Sequence, residues 1–159
     1  MMILRKIQPE DNEQIAKVIR DIFDELNAPK EGTAYADPIL DQLYEVYQKP
    51  KSIYFVVENN GEVIGGGGLA PLENATDEFC ELQKMYFAPQ ARGLGLGKEI
   101  IEKSLAFAKE QGFTKCYLET LPYMQNARKL YEKMGFQYLD GPIGATGHTS
   151  CDVWMIKEL

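Results

Sequence analysis

An arginine followed by three alternate glycines is the most chemically specific stretch of the chain: Arg92, Gly93, Leu94, Gly95, Leu96, Gly97 and Lys98. Glycines at this spacing let a backbone approach a ligand and take angles that a side chain forbids. Arg92 adds a full positive charge beside them. The surrounding sequence supplies the elements that would position this loop. Residues 82–87 read as a strand, residues 88–90 as a proline-marked turn, and residues 95–111 as a helix opened by the loop. The first N–H groups of a helix lack intrahelical partners and the helix dipole favours an anion there, so phosphate is the natural guest. Two phosphate loops are excluded. A nucleoside-triphosphate loop needs Ser or Thr after Gly-Lys, and Glu99 follows Lys98. A dinucleotide fingerprint needs a glycine where Lys98 stands.

The bulk composition bounds the ligand and the compartment. With 159 residues, 45% apolar and 26% charged, the chain is expected to be one soluble domain, residues 1–159. Its net charge of −7, from 17 basic and 24 acidic residues, argues against nucleic-acid and anionic-membrane partners. The same charge is compatible with a cationic acceptor such as an amine. Apolar runs are too short to span a bilayer, and Met1-Met2-Ile3-Leu4-Arg5 lacks the features of a signal peptide. Cys80, Cys116 and Cys151 are odd in number, widely spaced and without a C-x-x-C pair. They are expected as free thiols in a reducing cytoplasm, at least two of them buried in strands. His148 is the only histidine, so no metal site is expected.

Periodicity orders the remaining elements. Residues 2–7 are a first strand. The following helix, to about residue 27, carries Ile15, Val18, Ile19, Ile22, Phe23 and Leu26 on one face, which is expected to be core. Asp37-Pro38 has the form of an N-cap with proline at the first helical position. It predicts a second helix through Leu40, Leu43, Tyr44 and Tyr47 to just before Pro50. Residues 52–58 and 62–69 read as a hairpin around Asn60-Gly61. Four consecutive glycines, residues 65–68, interrupt the second of these strands. They call for either close approach of a backbone or ligand or plain packing of a helix on the sheet. A long strand over 78–87 follows, then helix 95–111, strand 115–119, helix 124–134 and strands 136–139 and 152–157. The alternation after residue 87 calls for one parallel pairing, of strands four and five, with a helical crossover.

Residues 127–136 read A-x-x-L-Y-E-K-x-G-F. Together with R-x-x-G-x-G at Arg92, Gly95 and Gly97, this resembles the GNAT (Gcn5-related N-acetyltransferase) superfamily, over about residues 2–159. Asp37-Pro38, the phrase at residues 81–87 and Thr146-Gly147-His148 are similar to a group of short bacterial members. The resemblance implies an α/β GNAT fold: a mixed, mostly antiparallel sheet of about seven strands, splayed between strands four and five and flanked by about four helices. It implies acetyl-CoA as co-substrate, an amine as acceptor, no metal, and a homodimer of the kind such proteins often form. The loop from Arg92 to Lys98 would hold the pyrophosphate. The backbone at Met85 and Phe87 would pair with the pantetheine arm like an added strand, and an N–H near Tyr86 or Phe87 would meet the developing oxyanion. Members often carry asparagine three residues before the alanine of the second motif. Met124 stands there instead, with Asn126 nearby as a further contact and Pro122 altering the entry to the helix. His148 would lie in a loop that edges the acceptor site or a dimer contact.

Acyl transfer to an amine needs a deprotonated amine, a donor to the oxyanion and a leaving thiolate. An alkyl amine has a pKa near ~10.4 by analogy with lysine, so a carboxylate base is required. The resemblance offers Glu81, at the start of strand four, and Glu119, at the end of strand five, and does not choose between them. It gives Tyr131 the role of protonating the thiolate. The expected reaction is direct attack in a ternary complex. The alternative is a GNAT fold that holds acyl-CoA as a sensor, with little transfer.

Overall fold

The computed structural model describes residues 1–121, 124–144 and 153–159. Seven strands form one sheet among these residues, in the order β1-β2-β3-β4-β5-β7-β6. They are β1 (Met2–Lys6), β2 (Ile53–Asn59), β3 (Glu62–Pro71), β4 (Phe79–Phe87), β5 (Lys115–Thr120), β6 (Gln137–Leu139) and β7 (Val153–Glu158). All neighbours are antiparallel except β4 and β5. Asn60 and Gly61 both have positive φ, 51° and 88°. That matches the backbone twist a two-residue hairpin needs.

Among the described residues four α-helices flank the sheet: α1 (Asn12–Glu25), α2 (Leu43–Val46), α3 (Leu96–Glu110) and α4 (Gln125–Lys133). One apolar layer joins Phe55, Val57, Leu82, Ile100, Ile101, Leu105 and Tyr131, on the face covered by α3 and α4. The other joins Ile15, Ile19, Phe23, Leu40, Leu43, Tyr47, Tyr54 and Val56, on the face covered by α1 and the α2 segment. The two layers follow from alternation along the strands, which sends Phe55 and Val57 one way and Tyr54 and Val56 the other.

The register of β4 and β5 opens the sheet. They pair only at Phe79–Lys115, Cys80–Cys116 and Glu81–Tyr117. Beyond that point β4 continues to Phe87 beside β3 and β5 to Thr120 beside β7, with no pairing between the two. The splay between strands four and five is thus present.

Three expectations need correction. The helix predicted from Asp37-Pro38 is reduced to a 3-10 turn, Leu40–Gln42, and the single turn of α2. Asp37 does cap this turn, its Oδ1 accepting the Ile39 N–H at 3.1 Å, while its Oδ2 pairs with Lys84 at 3.1 Å. Helix α1 stops at Glu25, because Asn27 turns left-handed at φ 50° and Ala28 N–H closes back on the Phe23 carbonyl at 2.9 Å. Leu26 therefore leaves the core stripe and is 37% exposed. Cys80 and Cys116 are buried free thiols. Cys151, His148, Thr146-Gly147, Pro122 and the start of the last strand at Asp152 lie outside the described residues.

Candidate active site

The end of β4, the loop after it and the start of α4 enclose a cleft of about 460 Å³. Met85, Tyr86 and Phe87 form its floor, Arg92, Gly93, Gly95, Leu96, Gly97 and Lys98 one wall, and Asn126 with Ala127 and Leu130 the other. Of the residues expected to bind the donor, only Leu94 is absent from these walls; it is 56% exposed. Ile22 of α1 and Leu26, just past its end, also face the cleft. Periodicity identified their stripe but could not tell a core neighbour from a cleft.

The glycines of the loop serve two purposes. Gly93 and Gly95 both sit at φ 77°, and no atom lies within 4 Å of where their Cβ would be. Their requirement is conformational. Gly97 is helical, and a Cβ there would come within 2.9 Å of Leu130. It lets α3 and α4 approach closely. Gly95 caps α3, a fifteen-residue helix whose free N–H groups open onto the cleft.

Arg92 is already held. Its guanidinium pairs with both oxygens of Glu25 at 2.9 and 3.0 Å, and its Nε donates to the Phe87 carbonyl at 3.0 Å. The arginine keeps the Glu25 carboxyl below its usual pKa. Nothing in the local sequence around Arg92 pointed to Glu25, which is 67 residues away.

The strand β4 carries a bulge beside the cleft. Gly66 faces Tyr86 and Gly68 faces Gln83, so Gly67 opposes both Lys84 and Met85. Lys84 takes φ 50°, uncommon for a residue with a Cβ. A bulge of this kind re-aims the residues beyond it.

The expected acid and base groups do not line the cleft. Glu81 is buried and accepts from Gln83 Nε2 at 2.6 Å, and Gln83 in turn accepts from the Tyr47 hydroxyl at 2.6 Å. Glu119 accepts from the Tyr117 hydroxyl at 2.6 Å. Glu81 sits opposite Tyr117 in the parallel register, so both carboxylates lie on the sheet face covered by α1. Tyr131 belongs to the layer on the other face, where it meets Phe136 edge-on at 6.0 Å. Burial, helped by nearby Cys116, pushes the Tyr131 pKa well above that of a free phenol. The structure thus sets Glu81 and Glu119 on one face of the sheet and Tyr131 on the other. Among the described residues no group of three or more His, Cys, Asp or Glu could hold a metal, and no helix is long and apolar enough to cross a membrane.

The model of the acetyltransferase (GNAT) family matches residues 18–136. The uncharacterized N-acetyltransferase YjgM of Escherichia coli K12 is 48% identical over 159 residues, covering 99% of this chain and 95% of that protein. A GNAT-family acetyltransferase of Staphylococcus aureus Mu50 superposes with a TM-score of 0.87 at 21% identity, covering 99% of both chains. A phosphinothricin acetyltransferase of Sinorhizobium meliloti, solved in complex with acetyl-CoA, superposes with a TM-score of 0.76 at 22% identity. That match covers 99% of this chain and 88% of the other.

Proposed function

The chain belongs to the GNAT acetyltransferase family and is an acyltransferase, and from that premise we propose that it is an acetyl-CoA-dependent N-acetyltransferase. It moves an acetyl group to the amine of a small molecule, amino acid or peptide by direct attack in a ternary complex. The observation that carries this reading is the cleft between β4 and α4, walled by the Arg92 loop and open to the N-terminus of α3.

The residues present fit the donor. The loop N–H groups of residues 93–98 and the Arg92 charge offer a cradle for a pyrophosphate. Residues 85–87 of β4, beyond the point where β5 pairs with this strand, offer main-chain donors and acceptors on that edge to an extended amide arm. That the fold accommodates acetyl-CoA in the S. meliloti protein supports the same assignment. Asn126, at the start of α4, lines the opposite wall and adds a polar contact.

The acceptor amine approaches from the α1 face, where Glu81 or Glu119 takes its proton directly or through water. An N–H of the strand near Tyr86 or Phe87 stabilises the negative charge that develops on the carbonyl oxygen. Tyr131 directs its hydroxyl proton to the departing sulfur from the α4 face. Its raised pKa keeps that proton in place across the working range. Transfer of the proton to a thiolate of pKa near ~8.5 is uphill, so Tyr131 contributes chiefly as a hydrogen-bond donor.

The test is thermal unfolding with acetyl-CoA, CoA, ATP and NAD at equal concentration. A ligand at a hundred times its Kd adds about 2.7 kcal/mol. For a chain of this size that raises Tm by roughly 5–11 °C. A rise with both CoA species alone, followed by CoA release with a primary amine, is the expected result. The absence of any rise with either CoA species overturns the reading.

A further inference from the structure

The four glycines of β3 pack differently on their two faces, and both faces lead to the cleft. A Cβ on Gly66 would lie 2.7 Å from Cε1 and 2.9 Å from the hydroxyl of Tyr54, and a Cβ on Gly68 2.6 Å from Tyr54 Cδ2. Tyr54 stands opposite Gly68 on β2. Its ring therefore lies across β3, over two glycines, and its hydroxyl reaches the next strand. There it donates to the main-chain carbonyl of Lys84 at 2.7 Å. Spanning from β2 to β4 covers roughly 10 Å, two strand spacings. Only a long flat side chain passing over residues without side chains does so.

On the other face, a Cβ on Gly65 would strike Phe87 at 2.5 Å and one on Gly67 would strike Met85 at 2.9 Å. The same glycine run thus seats two residues of the cleft floor. Lys84, between these contacts, is the left-handed residue of the β4 bulge. Its ammonium is held by Asp37 at 3.1 Å with the lysine side chain only 4% exposed.

We infer that Tyr54 is a positioning residue for donor binding: its hydroxyl, together with the Asp37–Lys84 pair, pins the β4 bulge at Lys84 and so fixes the main-chain groups of residues 85–87 that meet the acetyl-CoA arm. Without the extra residue of the bulge, the register beyond it would slip by one. Met85, Tyr86 and Phe87 would then exchange faces. The side chains now packed on Gly65 and Gly67 would leave the cleft floor, and the main-chain groups between them would change direction. This assignment rests on the acetyl-CoA reading above.

The experiment compares the full-length native chain with Tyr54→Phe and Tyr47→Phe. Tyr47 is the control, because its ring lies tilted against Tyr54 with centroids 5.0 Å apart and its hydroxyl bonds the Gln83 side chain, not the Lys84 main chain. Calorimetric titration with acetyl-CoA is run at a temperature where all three are folded. It is paired with amide hydrogen exchange across residues 85–87 with and without acetyl-CoA. Tyr54→Phe is expected to weaken acetyl-CoA binding at least tenfold and to abolish the ligand-induced protection of residues 85–87. Tyr47→Phe is expected to stay within twofold of native with protection intact. Native-like binding and protection in Tyr54→Phe overturn the assignment. Equal losses in both variants overturn it too, by tracing the effect to general loosening of the core. A native chain that binds no acetyl-CoA fails one step earlier, removing the donor reading and the positioning role with it.

Discussion

Both carboxylate oxygens of Glu25 close on the guanidinium of Arg92, a residue of the cleft wall, at 2.9 and 3.0 Å. Arg92, the residue proposed above for a pyrophosphate, is thus aimed by α1 and partly neutralised by it. Its third contact, Nε to the Phe87 carbonyl at 3.0 Å, ties the loop to the end of β4. An incoming anion must share or replace the Glu25 contact, and the two negative groups oppose each other.

Glu25→Gln is therefore expected to tighten CoA binding. Exposed ion pairs are worth about 0.2–1 kcal/mol, so the gain is at most roughly fivefold at low salt and smaller at high salt. Arg92→Ala removes a charge-assisted contact and weakens binding by roughly 10- to 100-fold. The Arg92 charge depresses the Glu25 pKa. The pair therefore stays ionised at neutral pH and is lost only as pH falls below the ordinary carboxylate range. The effect of Glu25→Gln should accordingly be constant from pH 6 to 9. Titrations of CoA at two salt concentrations and three pH values check all of this. Weaker binding in Glu25→Gln would mean that the pair orients Arg92 more than it competes.

Tyr131→Phe should lower kcat by roughly 10- to 100-fold, the worth of a hydrogen bond to a developing charge, with the acetyl-CoA Kd unchanged. Burial holds the native phenol protonated well beyond the usual tyrosine range. An alkaline fall in rate between pH 8 and 10 therefore cannot be Tyr131 ionising, and should persist unchanged in Tyr131→Phe. Rate profiles of the two proteins over pH 6–10 test this. Disappearance of the alkaline limb in the variant would assign that limb to Tyr131.

The parts legible in the sequence are those whose geometry one or two residue types dictate. Asn60-Gly61 needs positive φ at both positions, and Gly93 and Gly95 need it in the loop, so a hairpin and a strand-loop-helix unit could be read directly. The splay came from the resemblance alone, since no local pattern encodes where β4 and β5 part. What failed depended on distant partners. The Asp37-Pro38 cap is present, but Asp37 also pairs with Lys84, 47 residues on, and the helix beyond it shrinks to one turn. The glycine run admitted two explanations because its real neighbours, Tyr54 on one face and Met85 with Phe87 on the other, come from two different strands. The bulge had no signal at all, because lysine rarely adopts a left-handed backbone. For the carboxylates, the motifs supplied Glu81 and Glu119 without the fact that both lie across the sheet from Tyr131.

A double Glu81→Gln, Glu119→Gln variant should lose on the order of 10²–10⁴-fold in kcat at pH 7. The sign of its pH dependence follows from the acceptor. An amine of pKa near ~10.4 is about one part in a few thousand unprotonated at pH 7, and that fraction rises tenfold per pH unit. Without a base, the rate should climb with unit slope from pH 7 to 9, while the native rate changes less. Single variants then apportion the role. A double variant that keeps the native rate and profile would remove both carboxylates from the mechanism.

Asp37 and Lys84 make a buried pair between the α2 segment and the bulge, with side chains 17% and 4% exposed. Removing one partner of such a pair typically costs about 3–5 kcal/mol, because the other charge is left desolvated. Asp37→Asn strands the more deeply buried ammonium. The greater exposure of Asp37 lets water relieve some of the cost, so about 3 kcal/mol is expected, a fall in Tm of roughly 6–12 °C. Lys84→Met strands the more exposed carboxylate and should cost less. Combining Asp37→Asn with Lys84→Met removes both charges, and the double variant should be more stable than Asp37→Asn alone. Denaturant unfolding of the four proteins measures the coupling. Simple addition of the two single losses would mean that the charges do not act on each other, and that the bulge is held by the Tyr54 hydroxyl alone.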